Sequence, residues 1–253
     1  MDTDLVKANL NLHAVLKNLE DIVEFDREMK ELTSSWNVSI RFIVKGGPSA
    51  TVSFSSGKCT VEQGKSGKAS IILWFFSPSH LNRMFDGTAN PIPLKGFSRL
   101  GFLSKDFPKL TDRLEYYLKP TDELMKDKSY LEMNTRLTLN TAAYAVPEIA
   151  AGDPVGIKIA SKIPDGTVTM HILPSFHSVS ITFRNGAAAA SKGDSVKPSA
   201  VMEMKNVTLA NGFLNGKTDA FTAIASGDVI IKGLMPMLDN MSLMLDRIQH
   251  YIS

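Results

Sequence analysis

The residues of this 253-residue chain that could move a proton, hold a metal or attack an acyl group are few and scattered. Its histidines are His13, His80, His171, His177 and His250, and none has metal-ligand spacing with another histidine or with the single cysteine, Cys59. His171 and His177 fall near Ser175 and Ser178, which would allow a Ser–His pair. No Gly-x-Ser-x-Gly elbow presents a nucleophile, so surface or half-buried histidines are the simpler reading. Asp106, Asp112, Asp239 and Asp246 fall in the closing helices of two sequence repeats. A carboxylate pair could do acid–base work, but solvated helix faces explain them. Gly227 and Gly233 flank a strand rather than a turn into a helix, which gives no support to a dinucleotide site. No cofactor, no metal and no catalysis are expected.

A formal charge of +2 without a long basic run excludes the electrostatic footprint of a nucleic-acid binder. Cys59 has no intrachain partner and reads as a structural thiol in a strand. No apolar run approaches the ~18 residues of a membrane span, and the acidic N-terminus lacks a signal pattern, so a cytoplasmic protein is expected.

Methionine makes the denser pattern. Met202, Met204, Met235, Met237, Met241 and Met244 crowd the last third of the chain, and Leu238, Met241 and Leu245 share one helical face. Methionine is flexible and polarizable, and adapts to varied apolar shapes. Three readings stay open: an ordinary core, a cavity for an acyl chain, and a docking surface for another subunit.

The elements that position these residues occur twice. Gly57, Gly64 and Gly87 recur as Gly186, Gly193 and Gly216, each at an offset of 129, and Asp112–Leu118 recurs as Asp246–Ile252 at an offset of 134. A duplicated domain is the simplest account, with units at 1–120 and 121–253. In the first, the pattern predicts a helix over 3–33 capped by Thr3 or Asp4. Strands follow at 38–44, 51–55 and 69–76, then a helix over 79–85, a proline-rich loop at 90–93, a strand-like segment at 97–103 and a helix over 107–118. In the second, it predicts a helix from Thr121 to Tyr144 broken by Pro147, and strands at 168–173, 179–184 and 200–205. The alanine-rich stretch 186–198 reads as a mobile connection, with the alanines able to extend a strand. A helix over 209–214, a strand over 228–233 and a helix over 236–252 complete the unit. The class is α+β, a mixed, mainly antiparallel sheet with helices on one face.

The run from Asn206-Val207-Thr208-Leu209 through Phe213-Leu214-Asn215-Gly216 to Ser226-Gly227-Asp228-Val229-Ile230-Ile231-Lys232-Gly233, closed by an apolar helix, resembles the sterol carrier protein type 2 family. The match covers roughly 179–252. Met84-Phe85-Asp86-Gly87 and Gly96–Gly101 give a weaker counterpart in the first unit. The resemblance implies two tandem five-stranded sheets, each covered by helices, with an apolar tunnel for fatty acyl chains, sterols or similar molecules. The binding residues it suggests are Met202, Met204, Phe213, Leu214, Ile224, Met235, Leu238, Met241, Met244 and Leu245. Trp74-Phe75-Phe76 could fill the tunnel of the first unit with rings. The expected function is therefore a non-enzymatic carrier of a hydrophobic ligand or lipid. The alternative is a structural protein with closed cavities, acting as a homo-oligomer or as an accessory subunit of an enzyme.

Overall fold

The first helical stretch forms in pieces. In the computed structural model, which describes residues 2–251 with the side chain of Ala220 excepted, Asp2 rather than Thr3 or Asp4 caps α1 (Thr3–Leu10) by accepting from the Asp4 amide. A π turn (Asn11–Val15) and a 3-10 turn (Leu16–Asn18) lead into α2 (Leu19–Phe25). Asp26 leaves the helical region and caps α3 (Arg27–Thr33) through the Met29 amide.

Five strands follow: β1 (Val38–Val44), β2 (Ser49–Ser55), β3 (Lys58–Gln63), β4 (Ile71–Phe75) and β5 (Ile92–Lys95), with α4 (Pro78–Phe85) between the last two. The sheet order is β3-β2-β1-β4-β5, antiparallel except for the β1–β4 pair. The strand-like segment expected at 97–103 is instead helical, a 3-10 turn (Phe97–Arg99) running into α5 (Leu100–Lys105), and the edge strand occupies the proline-rich stretch before it. Gly96 decides this. Its φ of +91° reverses the chain against β4, where a β-carbon would lie 2.9 Å from the Ile71 side chain. Pro93 is tolerated because β5 has a free edge. The unit closes with α6 (Phe107–Leu118).

The second unit repeats the plan. Asp127 caps α7 (Lys128–Gly152), which starts later than Thr121 and runs through Pro147 instead of breaking there. Proline removes one amide donor, but burial of Val146, Ile149 and Ala150 around it carries the helix on to Gly152. α8 (Pro154–Ala160), β6 (Gly166–Ile172), β7 (His177–Arg184), β8 (Ala187–Lys192), β9 (Ala200–Met204), α9 (Val207–Leu214), α10 (Ala220–Ala225), β10 (Val229–Gly233) and α11 (Met235–Ile248) follow. The sheet order β10-β9-β6-β7-β8 is that of the first unit, again with one parallel pair, β6–β9. The alanine run is β8, an edge strand paired residue by residue with β7, and not a loose connection. Its small side chains lie where α7 packs across β7 and β8.

The recurring glycines have one physical cause. All six have φ between +66° and +88°, a region closed to most L residues. Ser56-Gly57 and Asn185-Gly186 both have positive φ at two successive positions, the tight hairpin turn that matches strand twist. The chain divides into two compact units, Asp2–Lys119 and the residues from Pro120 onward. In each, alternate strand residues face a buried layer under the helices, while the other face carries groups such as Arg41, Thr51, Thr169 and Ser180. Among the described residues no helix is long and apolar enough to cross a membrane.

Candidate functional site

The inner face of the second sheet carries a methionine group on β6, β9 and β10, beside Val179, Ile181 and Phe183 of β7. Met170 lies opposite Met202 and Ile172 opposite Met204 in the β6–β9 register, and Val229 pairs with Met204 from β10. Met170, Met202, Met204 and Val229 are buried. α11 supplies Met237, Leu238, Met241 and Met244 to the interior, all buried, and packs on α7, α8 and β9. The Met237 methyl reaches to within 3.1 Å of where a β-carbon on Gly166 would stand.

Of the ten residues singled out from the sequence, Met202, Met204, Leu238, Met241 and Met244 lie in this interior. Phe213 and Leu214 at the end of α9, and Leu245 on α11, are half-buried. Ile224 on α10 and Met235 at the start of α11 are exposed. Met170, which sequence reasoning missed, and Met237, noted in the methionine group but not among the ten, are buried in the same interior. Met170 could have been found from its inward parity in β6.

The same positions in the first unit hold rings at all but one site, which is a leucine. Phe42, Leu73 and Phe75 stand where Met170, Met202 and Met204 stand in the second, by strand register. Phe107 stands where Met241 does, by the offset of 134 in the last helix. Phe42 stacks on Phe75 at 6.3 Å. Trp36 meets Phe54 and Phe102 at 5.0 and 4.8 Å, and Phe107 closes the group against both phenylalanines. Of the three rings expected to fill this interior, Phe75 does so, and Phe42, Trp36, Phe54, Phe102 and Phe107 supply the rest. Trp74 lies on the opposite face of β4 from the fully buried Phe75, and exposed Phe76 packs on Trp74 at 4.6 Å beyond the strand end.

The polar chemistry lies elsewhere, at the end of each last helix. Asp153 caps α8 through the Gly156 amide at 2.8 Å, and accepts from Arg247 Nε and Nη2 at 3.0 and 2.9 Å and from the Tyr251 hydroxyl at 2.6 Å. Asp26 repeats this with the Met29 amide, Arg113 Nε at 2.7 Å and the Tyr117 hydroxyl at 2.7 Å. Burial alone would raise the Asp153 pKa, but the bonds from Arg247, Tyr251 and Gly156 outweigh it and hold the carboxyl at about 2. Asp26 is lowered in the same balance, burial opposed by Met29, Tyr117 and Arg113. Burial and the neighbouring carboxylate push both tyrosines up. The repeated Asp-Arg pairs in the helices were legible, but it is the arginine and the following tyrosine that act. The aspartate at the helix corner was missed, although Asp153-Pro154 is a helix-start signature.

The hydrogen bonds of the histidines are to structural groups. His177 accepts from Arg136 at 3.0 Å on Nδ1, so its Nε2–H donates to Asn140 at 2.7 Å. His171 Nδ1 lies 3.4 Å from Asp194. His80 accepts from the Phe76 amide on Nδ1 and donates to Asn90 O, which fixes the turn after β4. Cys59 is buried in β3. Among the described residues no three of His, Cys, Asp and Glu stand together as a metal site. An open cleft of about 600 Å³ lies between α3 and α6, with Glu28, Lys109, Asp112 and Arg113 on its walls. Met29, Leu32 and Tyr116 complete its lining, so charged and apolar groups share an open, solvent-facing cleft.

No family model matches the chain, and no curated protein matches it. Among solved structures, the chain is similar to a UbiJ-SCP2 ubiquinone synthesis protein (14% identity, 47% of this chain and 96% of that one, TM-score 0.32). It is also similar to sterol carrier protein domain 2 of Helicoverpa armigera (14% identity, 44% and 87%, TM-score 0.35). A third match is the stereoselective inverting sec-alkylsulfatase Pisa1 from Pseudomonas sp. (15% identity, 57% and 28%, TM-score 0.26). In the order and pairing of its own elements the chain is two tandem α+β units, each a five-stranded mixed sheet covered by helices, which is the arrangement that its resemblance to the sterol carrier protein type 2 family implies.

Proposed function

We propose that the chain is a non-enzymatic carrier of a hydrophobic ligand, a fatty acyl chain, sterol-like molecule or other lipid. The ligand is held in the second unit between its sheet and α11, and the first unit serves as a ring-filled structural copy. The observation that supports this is the exchange of the rings Phe42, Phe75 and Phe107 for Met170, Met204 and Met241 at matching sites, with Leu73 exchanged for Met202 beside them. Rigid rings specify one packing, whereas unbranched methionines re-pack around an incoming chain. Met202, Met204, Met241 and Met244 line the ligand, Leu238 and Leu245 complete the helix wall, and Phe213, Leu214, Ile224 and Met235 form the rim through which it enters. The driving force is burial of ligand surface, roughly 25 cal/mol per Å² before the costs of association.

Native mass spectrometry of the purified chain, followed by organic extraction, tests this. A removable lipid mass supports the carrier. The double variant Met204→Phe/Met241→Phe, which copies the first unit, is expected to lose that mass while remaining folded. Retention of the lipid by that variant would place it elsewhere and count against the assignment.

A second reading has its own support. Met237, Met241 and Met244 of α11 are buried, while Phe221 is 86% exposed and Ile224, Ile230, Leu234 and Met235 are exposed near it in sequence. A closed interior beside an exposed apolar surface suits an interaction protein, a homo-oligomer or an enzyme's accessory subunit. It is favoured if the chain carries no lipid, takes up none, and self-associates in a way that Phe221→Ser abolishes.

A further inference from the structure

The first unit exposes an apolar run of different character from that of the second. Phe97 is 63% exposed, Leu94 54% and Leu100 45%. Phe97 and Leu100 are three apart on the turn that enters α5, so they lie side by side. Gly96 creates this turn by folding the chain back against β4, which leaves the two side chains on the outside. Phe102, from the same helix, goes inward to Trp36 and Phe107 and anchors it.

Charge gives the occupant. From Ile92 to Lys105 the chain has Lys95, Arg99 and Lys105 and no Asp or Glu. Arg99 and Lys105 are exposed, and among the described residues neither has an ion-pair partner. The counterpart in the second unit, around Phe221 and Ile230, carries Asp219 and Asp228 beside Lys232, and Asp228 is already paired with Lys205 at 3.0 Å. The acid that follows, Asp106, is paired with Lys109 at 3.4 Å. Exposed Phe and Leu in a segment whose own charges are all cationic match the boundary of an anionic bilayer, where apolar groups enter the acyl region and cations meet lipid phosphates and carboxylates.

We propose that Leu94, Phe97 and Leu100, with Arg99 and Lys105, form a docking surface for anionic membrane. This assignment stands whether or not the second unit holds a ligand. Co-sedimentation of the full chain with phosphatidylcholine vesicles, with and without phosphatidylserine, tests it. Binding is expected only with phosphatidylserine and is expected to weaken with salt. Phe97→Ser/Leu100→Ser and Arg99→Glu/Lys105→Glu are each expected to reduce binding by about tenfold or more. Circular dichroism and the emission of Trp36, which touches Phe102, check that the variants keep their fold. The charge-reversal pair alters exposed positions and carries the test if the apolar pair unfolds.

Wild-type protein that ignores both vesicles, or binds both equally, overturns the proposal, as does charge-reversed protein that binds like wild type. A chain that dimerises, with Phe97→Ser restoring the monomer and vesicles having no effect, would make the patch an interface between copies instead.

Discussion

Asp153 and Asp26 show how one buried carboxylate can set a helix corner and hold a distant helix at once. Each accepts from the amide that starts the next helix and from an arginine and a tyrosine at the end of the unit. Asp153 ionises at about 2 in the folded chain against an ordinary 3.8. Its stabilising contribution is therefore complete above pH 3.8 and is lost as the pH falls through 2, a difference worth about 2 kcal/mol. Asp153→Asn is expected to lose about that much stability at neutral pH in urea denaturation of the full chain. The gap between variant and wild type should narrow as the pH is lowered from 4 to 2, and a gap of constant size would show that the ionised form is not what matters.

At the scale of elements, close approach sets the joints. α7 and α8 meet at a corner where a β-carbon on Gly156 would stand 2.3 Å from the Ile149 carbonyl oxygen. Gly156→Ala cannot be absorbed by moving a side chain, because the obstacle is backbone. A loss of about 2–3 kcal/mol is expected, with the Arg247–Asp153 contact weakened as the corner opens. A thermal melt of the full chain measures the first effect. The second appears as a smaller dependence of stability on pH below 4 than wild type shows. The elements most legible in sequence were short apolar or β-branched runs between turn residues: β1, β2, β4, β6, β7, β9 and β10. The misread ones broke a local rule for a non-local reason. α7 passes Pro147 because buried residues hold it on both sides. β8 is a strand because β7 offers it a ladder, although an alanine run has little strand preference of its own.

For the whole molecule, duplication followed by divergence of the two interiors makes a stoichiometric claim. If the methionine-lined interior is the lipid site, the chain is expected to carry one ligand and not two, since Trp36, Phe54, Phe102 and Phe107 already fill the first unit. Intact-mass measurement under native conditions counts this directly. Two ligands per chain would mean that the ring cluster opens, and would remove the asymmetry between the units.

The amino-acid sequence by itself determined the repeat, because six glycines must occupy left-handed backbone wherever the hairpins and helix ends recur. It determined most strands and the closing helices, because hydrophobic period and turn chemistry are local properties. It also isolated the methionines, whose crowding is a matter of composition. Only the tertiary structure decided which methionines face inward, that Phe75 and not Trp74 fills the first interior, and that Asp153 meets Arg247 across 94 positions of chain. Those facts depend on strand register and helix packing. Both are set by the summed burial of residues far apart in sequence, and no local window of residues contains them.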